Sequence, residues 1–142
     1  MEINLQTEQA AVPVAVITTH GDIDASNFND LVKVAQKAYS AGLRDILLDL
    51  GDTLFLSSSG LVALHSISLL LRGQPPLDPE AGWAAFHEME NNLTDGMQQH
   101  MKLLNPQPRV VRTLEHSGLL GYFQVFTDKR EALASFSALP QV

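Results

Sequence analysis

Two segments that read as buried strands, the continuous β-branched Val12–Thr19 (VPVAVITT) and Arg44–Leu50 (RDILLDL), restrict the fold of this chain more than any other feature. A strand that alternates apolar and polar residues faces a core on one side only, whereas a continuous apolar, β-branched run is a strand buried on both faces. Between the two, Phe28, Leu31, Val32, Ala35, Ala38 and Tyr39 recur at helical spacing and form one apolar stripe, with Asn29, Lys33, Gln36, Lys37 and Ser40 on the opposite side. A buried strand, an amphipathic helix and a second buried strand imply a parallel pair joined by a helical crossover. Ser26 or Asp24 is the expected N-cap of that helix, and Gly42 its left-handed terminator.

The alternation continues on both sides. Ile3–Gln6 alternates apolar and polar residues and lies close enough to Val12–Thr19 to form a hairpin, with Pro13 at the edge or start of its strand. Leu61–Leu71 (LVALHSISLLL) predicts a helix that is apolar nearly all round and hence covered on more than one side. Met101–Leu104 and Phe123–Phe126 are the fourth and fifth strands. Arg109–His116 is a short helix with Pro108 near its first turn and Gly118 as its C-cap. Asp128–Phe136 is the last helix, with Asp128 as N-cap and Glu131 three residues on. Residues 1–142 therefore predict one α/β domain, a mixed but mostly parallel sheet of about five strands with helices mainly on one face.

Gly73–Gln98 interrupts this string. It opens Gly-Gln-Pro-Pro and holds Asp78, Glu80, Glu88, Glu90 and Asp95 with no Lys or Arg, so it carries most of the net charge of −7. The segment reads as an acidic helical insertion within the domain, with a helix over Pro79–Asn92 that places Trp83 and Phe86 on one side, as a docking face or as a contact patch. His87, Glu88 and Glu90 offer ligand types without a recognisable metal spacing, and no metal is expected.

Composition removes several classes of function. At 45% hydrophobic and 18% charged, the 142 residues can bury a core. The absence of cysteine excludes disulfide scaffolds, thiolate zinc sites, iron–sulfur clusters and thiol catalysis. Sixteen acidic against nine basic residues disfavour binding to nucleic acid or an anionic membrane through bulk charge. The longest apolar run, around Gly60–Leu71, is broken by His65, Ser66 and Ser68 and is too short to insert into a membrane. The first ten residues have neither a basic nor an apolar targeting segment, and a soluble cytoplasmic location is expected. No phosphate-binding glycine loop and no G-x-S-x-G is present, so no cofactor is expected. His20, His65, His87, His100 and His116 are scattered, and His65 is expected to be a partly buried, satisfied imidazole.

The most informative stretch is Asp45–Leu64 (DILLDLGDTLFLSSSGLVAL). A buried strand, in which Asp49 is expected to bond a loop backbone, leads to three serines, a glycine and an apolar helix. Serines there are good helix caps, and the free N–H groups and positive dipole end of the helix also favour an anion. Gly60 lacks side-chain bulk, which lets another backbone or a partner approach.

In this stretch the chain resembles the STAS family, the anti-sigma factor antagonists and their relatives. The family pattern Asp-Ser-Ser/Thr-Gly-Leu stands here as Ser57-Ser58-Ser59-Gly60-Leu61. Gly21-Asp22-Ile23-Asp24, Asn105-Pro106 with Val110-Val111, and Ser117-Gly118-Leu119 resemble three further family motifs in the same order. The resemblance covers the chain outside Gly73–Gln98. It implies a STAS-like fold and a non-catalytic regulatory module for signal transduction and transcription regulation. Such a module binds an anti-sigma factor that is a serine kinase, is released by phosphorylation, and is reset by a serine phosphatase. Ser58 takes the phosphoacceptor position, and Asp22, Asp24, Ser57, Ser59 and Gly60 the partner-binding positions. Ser57 stands where the family usually has Asp, which keeps open a non-phosphorylated STAS scaffold or a transporter-associated STAS subunit. A small hydrolase, with the acidic segment as a lid over Asp22, Asp24 and Ser58, is the remaining alternative.

Because the alternating elements lie outside the acidic segment, joining Leu71–Arg72 to Gln99 through a short Gly/Ser linker is expected to leave a soluble domain with a cooperative thermal transition. A molten or insoluble product across several linkers would place Trp83 and Phe86 in the main core instead.

Overall fold

Glu2–Gln9 (β1) and Pro13–His20 (β2) pair antiparallel, from Glu2 opposite His20 to Gln9 opposite Pro13, in a computed structural model that describes residues 1–73 and 98–136. Pro13 opens its strand, where its missing N–H leaves no gap in a ladder interior. The chain then alternates through Phe28–Ser40 (α1), Ile46–Asp52 (β3), Ser58–Leu71 (α2), Gln98–Leu104 (β4), Pro108–Ser117 (α3), Phe123–Phe126 (β5) and Lys129–Ser135 (α4). The strands lie in the order β1-β2-β3-β4-β5, and every neighbouring pair after the hairpin is parallel. This is the mixed, mostly parallel five-stranded sheet expected from the pattern.

Strand residues divide by parity between two cores, because successive side chains point to opposite faces. Ala15 and Ile17 of β2, Ile46, Leu48 and Leu50 of β3, and Met101 and Leu103 of β4 pack with buried residues of α1, α2 and α3. Val14, Val16, Leu47 and Leu104 face the other way, where Ala132 of α4 and Phe136 cover them. Among the described residues, three helices thus take one face and one helix the other. Each fully buried Leu or Ile contributes about 1.5–3 kcal/mol relative to exposure, so the central strands carry much of the stability.

Helix ends follow local chemistry. After α1, Gly42 at φ +99 gives its N–H to Tyr39, and Leu43 gives its N–H to Ala38, a left-handed termination as expected. The start of α1 differs from expectation: its N-cap position is Asn27, without a side-chain cap bond. Asp24 and Ser26 instead bond each other within the preceding turn. Pro108 opens α3, Gly118 at φ +84 closes it, and Asp128 caps α4 by accepting from Arg130 N.

Polar residues inside elements account for the other differences. β4 begins at Gln98, not Met101, because Gln98 is fixed on three sides. Its amide donates to Ser68 O (3.0 Å) and Ser68 Oγ (2.8 Å), and its backbone N–H to Tyr122 O (2.9 Å). Gln98 is thus part of the sheet, and a deletion junction has to spare it. Gln74–Met97, with the expected helix over Pro79–Asn92 and Trp83, Phe86, His87, Glu88 and Glu90, lies outside the described residues. His65 is fully buried, not partly so, with its ring centroid 5.7 Å from that of Tyr122. It sits on α2, which is buried on nearly all sides as its apolar pattern requires.

The face under α4 holds a buried charge. Lys102 of β4 is 3% exposed, and its Nζ donates to Ser135 O (3.0 Å) and Ser135 Oγ (2.9 Å) at the end of α4, 4.6 Å from the Phe136 ring centroid. A cation suits the carbonyl end of a helix. Desolvation nevertheless lowers the Lys102 pKa, partly opposed by the Asp45 carboxylate. The unfolded chain then holds this proton more tightly than the folded one, so stability rises with pH between the folded pKa and the ordinary lysine value near 10.5. Lys102→Met is expected to remove that alkaline gain, seen as a flatter dependence of melting temperature on pH above neutrality than in the native chain.

Candidate functional site

The carboxyl ends of β2 and β3 build the site. Within β3, Asp49 Oδ1 accepts from Gly51 N (3.0 Å), a bond inside the strand and not to the loop backbone expected of it. Thr19 and Thr53, both fully buried, are joined by their hydroxyls at 2.6 Å, which ties the loop after β3 to the end of β2. Ile23 N then donates to Phe55 O (3.1 Å) and Ser57 N to Ile23 O (2.9 Å), a parallel bridge between Ile23 and Leu56. The turn Gly21–Asp24 and the loop before α2 are therefore one structural unit.

The turn is held by its own polar groups. Gly21 sits at φ +115, which side chains rarely adopt. Asp24 Oδ1 accepts from Ser26 N (2.9 Å) and Ser26 Oγ (2.5 Å). The Ser26 hydroxyl first, then the Ser26 N–H, holds the Asp24 carboxyl below its ordinary pKa. Asn27 clamps the turn from the other side: Oδ1 accepts from Asp24 N and Nδ2 donates to Asp22 O, both at 2.9 Å. Asp22 is exposed and Asp24 half-buried. Beside the turn, His20 Nδ1 lies 2.7 Å from Asp52 Oδ2, and His20 Nε2 3.0 Å from Asn4 Nδ2.

Helix α2 starts at Ser58, ahead of its apolar pattern. Ser57 is the N-cap, extended at φ −80 and ψ 175, and its Oγ accepts from Gly60 N (3.2 Å). Asp is an equally good residue for that cap, so Ser57 fills the same structural role. Ser58 is exposed on the first turn, and Ser59 is half-buried. Gly60 departs from its expected role as a surface contact. It is buried, and a Cβ there would meet Leu56 Cδ1, Ile23 Cγ2 (3.1 Å) and Ile23 O (3.2 Å). The backbone that approaches Gly60 is the chain's own.

The opposite wall of the site comes from α3 and was not anticipated. A groove of about 470 Å³ is lined by Ser58 and Leu61 of α2 and by Arg109, Arg112, Thr113, His116 and Ser117 of α3. These α3 positions follow i, i+3, i+4, i+7 and i+8, one helical stripe, a spacing legible in the sequence. Arg109 lies 5.4 Å over the ring of Phe55, which is exposed together with Leu54. The site thus joins an exposed hydroxyl at a helix start, two guanidinium groups and a small apolar rim.

No family model and no curated protein matches the sequence. Solved structures do. A Thermotoga maritima protein described as an anti-sigma factor antagonist matches with a TM-score of 0.63 at 16% identity, over 90% of each chain. An anti-sigma factor antagonist from Mycobacterium paratuberculosis matches at 0.61 and 19% identity, over 94% of this chain and 93% of that one. The Bacillus cell fate determinant SpoIIAA in its phosphorylated form matches at 0.51 and 20% identity, over 91% and 96%. The chain has the fold of these anti-sigma factor antagonists, the STAS or SpoIIAA-like fold. No helix among the described residues is long and apolar enough to cross a membrane.

Since Gly60 packs against the Ile23–Leu56 bridge, Gly60→Arg is expected to lower stability by about 1–3 kcal/mol or more. Denaturant unfolding checks this, and an unchanged midpoint would return Gly60 to the surface role.

Proposed function

We propose that the chain is a non-catalytic regulatory binding module that docks an anti-sigma factor with serine kinase activity and is switched by phosphorylation of Ser58. The observation that carries the reading is the placement of Ser58: exposed, on the first turn of α2, one residue after the cap and beside the bridged turn Gly21–Asp24. The shared fold with antagonists, one of them SpoIIAA solved in a phosphorylated form, supports it.

The switch works by charge. The kinase transfers the terminal phosphoryl group of ATP to Ser58 Oγ; ADP leaves, and the hydroxyl proton passes to base or solvent. ATP and its Mg²⁺ belong to the kinase. A serine phosphatase reverses the step by hydrolysing the O–P bond with water, releasing inorganic phosphate. A phosphoserine carries about −1.5 to −2 charges at neutral pH. At the start of a helix these meet N–H groups and the positive dipole end, worth roughly 0.3–1 kcal/mol in favour of the fold. A partner docked over Ser58, Asp22 and Ser59 meets a dianion instead, and like charges brought together at an interface cost several kcal/mol.

Ser58→Asp is expected to keep the melting temperature within a few degrees and to abolish capture of the partner from native lysate, whereas Ser58→Ala binds constitutively. Mass spectrometry of the captured material identifies partner and phosphosite together. Undiminished capture by Ser58→Asp, or phosphate only on Ser57 or Ser59, overturns the reading.

A further inference from the structure

Ser58 opens onto a groove and not onto bulk solvent alone. Across that groove α3 presents Arg109, Arg112 and His116, and among the described residues no carboxylate lines it. Glu115, the acidic residue of α3, is exposed but does not line it. The two hydroxyls of the same stripe are engaged with their own helix: Thr113 Oγ1 donates to Arg109 O (3.2 Å) and Ser117 Oγ to Leu114 O (2.9 Å). The guanidinium groups are therefore the strong donors of that wall.

We propose that this groove is the receptor, in the same chain, for a phosphate carried on Ser58, with Arg109 and Arg112 as its clamp. The inference deepens the reading of Ser58 as a phosphoacceptor and rests on it. Three chemical features favour a phosphomonoester over other anions. A phosphate offers three strong acceptor oxygens, enough for two guanidinium forks at once. The N–H groups of Ser58 and Ser59, ahead of the first intrahelical bond of α2, lie at the phosphate's point of attachment, whereas that of Gly60 is taken by the Ser57 cap. Attachment to Ser58 also makes capture intramolecular, so it needs no ligand concentration. Arg109 is already positioned by its stacking on Phe55, which reduces the side-chain entropy lost on clamping. A dianion placed between two guanidinium groups brings a cationic groove close to neutrality. The modification therefore removes an attractive surface for an acidic partner segment.

The test installs phosphoserine at position 58 during translation, without any kinase, and follows its phosphorus resonance by NMR against pH. In the native chain the second phosphate pKa is expected about one unit below that in the Arg109→Gln/Arg112→Gln double variant, where an ordinary value is near 6. The difference is expected to shrink at high salt. Equal pKa values in the two chains overturn the clamp. Arg112→Gln alone, at an exposed position, serves if the double variant does not fold, and is expected to show a smaller shift of the same sign. Saturation of the unmodified chain by micromolar inorganic phosphate, read on the arginine side-chain resonances, also overturns the assignment, in favour of a diffusible phosphomonoester. Because the phosphate is installed directly, the two ideas fail separately. Absence of Ser58 phosphate in native material sinks the switch, and an unshifted pKa sinks the clamp.

Discussion

Two backbone hydrogen bonds between Ile23 and the Phe55–Ser57 segment hold the functional end of this sheet together. They close only because Gly60 has no side chain, since a Cβ there would press on Leu56 and on the Ile23 carbonyl. Leu56 and Ile23 are both buried, so the bridge is shielded from water and forms part of the core. The buried Thr19–Thr53 pair sits behind it and satisfies both hydroxyls in a place where an unmatched one would be costly. Without the bridge, the turn of Gly21–Asp24 and the start of α2 would be two separate loops, and no joint surface would exist.

That arrangement separates structural from exposed roles at consecutive positions. Ser57 turns inward to cap α2, Gly60 packs against the bridge, and Ser58 between them remains exposed. A bulky or charged group at Ser58 can thus be accommodated without disturbing the cap or the packing. The same group at Ser57 would displace the Oγ that accepts from Gly60 N. Chemistry alone therefore singles out Ser58 as the serine of the three best able to carry a modification at little cost to the fold.

Elements with apolar periodicity were legible from the residues: the hairpin, the two central strands, the stripe of α1, the apolar α2 and the short β5 all follow the expected order. What periodicity missed was polar. Gln98 begins β4, yet its reason for being there is Ser68, thirty residues away in sequence. Ser58 and Ser59 belong to α2 because Ser57 caps it, which no hydrophobic pattern reveals. Lys102 lies in an apolar strand, and its partner is the last turn of α4. At the site, the serine loop and the acidic turn were visible as motifs, whereas the α3 wall was not. The spacing of Arg109, Arg112 and His116 was on view, but only the tertiary fold sets that stripe opposite Ser58. Gly60 shows the converse: its type suggested an open approach, and the approaching group is internal.

The two faces of the sheet differ in what they can contribute to regulation. The face under α4 is closed by Phe136 and by a lysine whose charge is used up on the helix terminus, so it offers little to an incoming ligand. The groove between α2 and α3 is the reverse: its guanidinium groups are exposed, and its depth is set by helices that rest on the larger core. A charge change there acts on elements that are already well packed, so its first effect is on the surface potential that a partner meets. A switch of this kind needs no refolding. It depends on the bridge and the sheet staying rigid while the charge of one exposed surface changes.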